Sequence, residues 1–184
     1  MHKKLFSLLP ILLLWAALSV LIWSWIFSLL TDTSPDKKVV LFVDLAHVED
    51  RALAVTLEEA LPAELRMVQV HPFSYAMLDS EQLLSADLYI IRESSLKAYQ
   101  EWLAPLPDAL RHGELWPDAD EPVAVKIADN GTGSAGMYVS YTQPDGTQEA
   151  CYLCFGKQSL HVAGNEGATD AAALAVAEKL LTLP

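Results

Sequence analysis

Asp44 directly follows the apolar run at residues 39–43 (VVLFV), with His47, Glu49 and Asp50 close behind it. His71 ends an alternating second strand at 65–70 (LRMVQV), and Glu93, Ser94 and Ser95 follow a third, apolar one at 88–91. In open α/β sheets, ligands gather outside the carboxyl ends of the strands, which makes these the first candidate binding residues. An aspartate in that position suits phosphotransfer, and His47 beside acidic neighbours suits a cation. The phosphotransfer pattern is incomplete: position 46 holds alanine, not an acid, and no lysine follows in the needed context. The plainer expectation is that these side chains cap helices and solvate strand ends.

Residues 131–136 (GTGSAG) spell G-x-G-x-x-G after an expected strand. A dinucleotide site needs a helix to start there, so that its first amides meet the pyrophosphate. Residues 137–142 (MYVSYT) instead alternate aromatic and β-branched types, which predicts a strand. Gly131 and Gly133 are therefore expected in a flexible loop that contacts a ligand or partner.

Cys151 and Cys154 are the only cysteines. Redox chemistry of the C-x-x-C kind needs a helix N-terminus to lower a thiol pKa. The surrounding CYLCF reads as a strand, where residues three apart face opposite sides. Packing thiols are the expectation, with a disulfide or redox role as alternatives. Zinc would need two more ligands, and His161 alone does not supply them. No G-x-S-x-G, H-E-x-x-H or P-loop occurs, and Ser94 lacks flanking glycines, so no catalysis and no cofactor is expected. Residues 130–132 (NGT) form a glycosylation sequon, which matters only in a compartment with the modifying enzymes.

The elements that would position these residues follow from periodicity. Residues 49–61 predict a helix with Leu53, Leu57 and Leu61 on one face, stopped by Pro62. Residues 80–85 give one or two helical turns capped by Ser80 or Asp79, and a helix from Ser94 or Ser95 to Leu103 buries Leu96 and Tyr99. Continuous apolar strands alternating with helices point to a doubly wound sheet. Residues 104–121, with Pro105, Pro107 and Pro117, predict an irregular connection. Strands are expected at 123–127, 137–142, 151–155 and 159–162, the second and third joined in a hairpin by Pro144-Asp145-Gly146. A C-terminal helix over 170–181, capped by Thr169, completes the chain.

Residues 5–30 contain no charge, and sixteen of them are Leu, Ile, Phe or Val. That length crosses a hydrocarbon core of about 30 Å, and it exceeds the apolar core of a cleaved signal. The expectation is a transmembrane anchor over 1–30, a tether over 31–38 and a single α/β domain over 39–184. Lys3 and Lys4 on the short side place the N-terminus in the cytoplasm and the domain outside it. All 24 acidic residues but only ten of the twelve Lys and Arg lie beyond residue 30, a balance of −14 for that part. Such a surface excludes nucleic acid, whose phosphates require a basic face, and disfavours anionic headgroups.

Over residues 39–95, the order VVLFVD, helix, ADLYII resembles the first lobe of the extracellular solute-binding proteins of bacterial ABC transporters. The resemblance implies a β-α-β-α-β unit outside the cytoplasm, a strand at 86–91 leading to a cleft-lining loop, and a link to a transporter. It departs from that family because only residues 104–121 stand where a second lobe would be inserted, and one lobe cannot enclose a solute. A membrane helix also replaces the lipid anchor. Asp44, Glu93 and Ser94 carry over only as strand-end positions. The expected function is a non-catalytic, single-pass accessory or interaction component of a membrane complex such as an ABC-type transporter. A small-ligand or cation sensor using Asp44, His47 and Glu93 is the alternative, and an envelope thiol-redox enzyme a further one.

Overall fold

Runs of aliphatic, aromatic and thiol side chains with no charged interruption can be buried on both faces, and three such runs form the middle of the sheet. A computed structural model describes the chain except residues 1, 32, 33, 35, 36, 45–47, 49, 64, 73–79, 119, 120, 130, 131, 140, 144, 163–171 and 184. The chain divides into two compact units, residues 1–34 and 35–184. The first is helix α1 (His2–Thr31), which stays continuous through Pro10. Its stretch Pro10–Phe27 has a mean hydropathy of 2.1, contains no buried residue, and is long and apolar enough to cross a membrane.

The second unit is a mixed α/β fold. β1 (Lys38–Val43) lies parallel to both β2 (Met67–Pro72) and β3 (Leu88–Arg92). α2 (Asp50–Glu58) joins β1 to β2, and the short α3 (Glu81–Leu84) precedes β3. The Ser80 hydroxyl accepts from the Leu83 N–H at 3.2 Å, as expected of a cap. α4 (Glu93–Tyr99) begins at Glu93 without a side-chain cap, not at Ser94 or Ser95, because the chain turns directly out of β3. A 3₁₀ turn over Gln100–Trp102 extends it.

The sheet continues through β8 (Cys151–Gly156), which runs antiparallel to β3. The far edge of β8 is shared by β4 (Leu103–Ala104) and β5 (Ala124–Ala128), giving the order β2-β1-β3-β8-β4 with β5 also on β8. The sheet is therefore mixed. β8 passes so close to its neighbour that a Cβ on Gly156 would stand 2.1 Å from the Ala86 carbonyl oxygen. Alternate residues of each strand feed two cores. Val39, Leu41, Leu88, Ile90, Cys151 and Leu153 pack with Leu53 and Leu57 of α2 and with α5 (Ala172–Thr182). Phe42, Tyr89, Ile91, Tyr152 and Cys154 pack with Leu83, Leu96, Tyr99 and Trp116 on the other face.

Three expectations are corrected. Residues 137–142 are not one strand: Gly133 turns the chain back on β5, and the Tyr138 and Val139 amides both donate to the Ala135 carbonyl at 2.9 Å. Only β6 (Tyr141–Thr142) is extended, and its hairpin partner is β7 (Gln148–Glu149), not the strand at 151–155. Once β8 is taken up between β3 and β5, its edges are no longer open to a hairpin. Residues 159–162 are bends rather than strand, because the Ser159 hydroxyl donates to the buried Asp87 carboxylate at 2.5 Å and folds that segment back. Asp79, Thr169 and Asp170 lie outside the described residues.

Candidate functional site

The strand order reverses between β1 and β3, and the residues at their carboxyl ends are Asp44 and Arg92. Such a reversal opens a crevice between crossovers on opposite faces. Asp44 is buried, and its N–H donates to the Ile90 carbonyl at 2.7 Å. Its carboxylate accepts from Arg92 Nε at 3.3 Å and from the Tyr99 hydroxyl at 3.3 Å. A buried carboxylate is tolerated when it is paired and hydrogen-bonded in this way. Burial opposes the Arg92 charge, but Asp44 outweighs it and raises the guanidinium pKa. Burial and the Asp44 charge together push the Tyr99 hydroxyl upward, so it stays a donor.

The β6–β7 hairpin lies over this corner. The Arg92 guanidinium carbon sits 4.4 Å from the centroid of the Tyr141 ring, within cation–π range. The Glu149 carboxylate accepts from the Ser94 N–H, and Glu93 donates its own N–H to the Ala150 carbonyl at 3.0 Å. Asp44, Glu93 and Ser94 are thus gathered at one corner, with the Glu93 and Ser94 residues exposed. His47 and Gly131 lie outside the described residues.

Gly133 belongs to a different neighbourhood, against the end of β5. It has φ +114°, and a Cβ there would meet the Ile127 carbonyl oxygen at 2.5 Å. Its missing side chain is used for packing on the chain's own backbone. A small open hollow of about 230 Å³ beside it is lined by Glu114, Lys126, Asp129 and Thr132. Lys126 Nζ already fills the charged part of that hollow, 2.5 Å from Glu114 and 3.3 Å from Asp129. A broader open cleft of about 520 Å³ lies between α4 and the two ends of the irregular connection, where Lys97 and Lys157 are balanced by Glu101 and Glu121.

Cys151 and Cys154 are free thiols, buried in the two separate cores on opposite faces of β8. Burial and the neighbouring Glu149 charge push the Cys151 thiol up to about 12, and burial alone raises Cys154. Neither thiol is held as the thiolate that disulfide exchange requires.

A second polar cluster escaped the sequence reading. Asp87, at the amino end of β3, accepts from the Val40 N–H at 2.8 Å and from the Ser159 hydroxyl, with the buried His161 nearby. Aspartate, serine and histidine do not form a catalytic triad here, because the serine donates to the aspartate and all three are buried. The signal for it was the lone acid of Ala86-Asp87-Leu88, set between apolar neighbours.

No protein-family model and no characterised protein matches this sequence.

Proposed function

We propose that the chain is a single-pass membrane protein whose acidic α/β domain acts without catalysis, as an accessory component docking on a membrane complex such as a transporter of the ABC type. The observation that carries the reading is the apolar stretch Pro10–Phe27, in which no residue is buried. At 1.5 Å per residue this stretch alone is about 27 Å long, close to a hydrocarbon core. An anchor of this kind holds the domain at high effective concentration beside a membrane partner, so a modest interface suffices.

Lys3 and Lys4 favour a cytoplasmic N-terminus and a domain on the far side. The β-α-β unit at residues 39–95 supports the likeness to one lobe of a solute-binding protein, and through it the link to transport. The engaged Asp44 carboxylate supports docking over the sensor reading, because its oxygens are already taken by Arg92 and Tyr99. The separated, protonated thiols weigh equally against redox chemistry.

Solubilisation in mild detergent followed by affinity purification tests the proposal. A membrane protein recovered at fixed stoichiometry is the expected result. Isolation of the chain only as a free monomer, from cells that contain its native neighbours, overturns it.

A further inference from the structure

Arg92 makes incomplete use of its guanidinium. Nε donates to Asp44, but among the described residues no protein oxygen accepts from either terminal nitrogen, and a quarter of the side chain reaches solvent. A planar fork with two donors pointing the same way is the shape that binds an oxyanion through paired hydrogen bonds. It stands at the sheet's switch point, beside a buried carboxylate that fixes its orientation.

The hairpin above it is a separate, minimal structure. Its strands are two residues each and belong to no larger sheet. A lone hairpin is marginally stable, so this one depends on what fastens it down. Two contacts do so at this corner: the Tyr141 ring on the guanidinium and the Glu149 carboxylate on the Ser94 N–H. The Glu149 carboxylate also acts on the Arg92 charge, so lifting the hairpin removes a competitor for any incoming anion. Cys151, in register with Arg92, is fully buried, and its thiol lies 3.9 Å from the carbonyl oxygen of Glu149 at the end of the hairpin.

We infer that the β6–β7 hairpin is a latch closed over an oxyanion site built on Arg92, and that a bound oxyanion holds the latch open. The inference is independent of what the domain docks on. Opening exposes the Cys151 thiol, which therefore reports the latch by its reaction with a small maleimide.

The full chain in detergent micelles is labelled with N-ethylmaleimide and Cys151 is followed by mass spectrometry. The double variant Tyr141→Ala, Glu149→Gln is expected to label about tenfold faster, with an unchanged melting temperature. Labelling at the wild-type rate, or a faster rate matched by a fall in melting temperature, overturns the latch. Inorganic phosphate, compared with chloride at equal ionic strength, is expected to speed labelling of the wild type and not of Arg92→Lys, which keeps the charge and loses the fork. No phosphate effect on the wild type, or an equal effect on Arg92→Lys, overturns the site.

Discussion

Gly133 shows how a residue that looks functional in a sequence is consumed by packing. A side chain there would be strained twice, by φ +114° and by contact with the Ile127 carbonyl oxygen. Gly133→Ala is expected to cost about 2–3 kcal/mol, read as a lower urea midpoint with an unchanged slope. Asp87 makes a prediction of opposite character. Burial raises its pKa, against the hydrogen bonds from Ser159 and Val40, so the folded state holds the proton more tightly than the unfolded chain does. Its contribution is therefore greatest below the ordinary carboxyl value of 3.8 and is lost as pH rises through the raised one. Urea titrations from acid to neutral pH are expected to show the wild type losing stability relative to Asp87→Asn; parallel curves would refute this. The position of Asp44 was legible, since it directly follows an apolar run. Its partners were not: Arg92 and Tyr99 lie 48 and 55 residues away, and nothing local marks them.

Among the elements, β1 and β3 were readable because burial on both faces leaves continuous apolar runs, and β2, only partly buried, from its alternation. The helix at α2 was readable from Leu53 and Leu57, both buried. β8 looked equally apolar, but composition does not distinguish a strand at the margin from one between three partners. That is why a turn through Asp145-Gly146 is found and the expected ladder is not: the strand it was meant to reach already pairs with β3, β4 and β5. The aromatic alternation at 137–142 misled for another reason, since a single turn set by Gly133 buries Val139 and leaves Met137 largely exposed. The central role of β8 is testable. Leu153→Ala, at a fully buried position, is expected to cost about 2–5 kcal/mol by chemical denaturation. Val55→Asp, on the exposed face of α2, serves as the control and is expected to change stability by less than about 0.5 kcal/mol.

At the scale of the whole chain, the charge and the apolar surface are sharply segregated. Every acidic residue lies after residue 30, while the stretch Pro10–Phe27 carries no charge and is strongly apolar. The full chain is expected to stay with the membrane fraction through an alkaline carbonate wash. Recovery in the supernatant would show that α1 does not span. Protease added to intact cells is expected to degrade the acidic domain, and protection of that domain would reverse the proposed orientation.

The antiparallel strand at Cys151–Gly156 has a consequence for how this protein is made. Synthesis proceeds from the N-terminus, so β1, β2 and β3 are complete some sixty residues before their neighbour exists. During that interval the outer margin of β3 is bare, and β4 and β5 have nothing to join. Exposed strand margins of this sort recruit other chains. A chain cut short before Cys151 is expected to leave that margin open and to aggregate where the full chain does not.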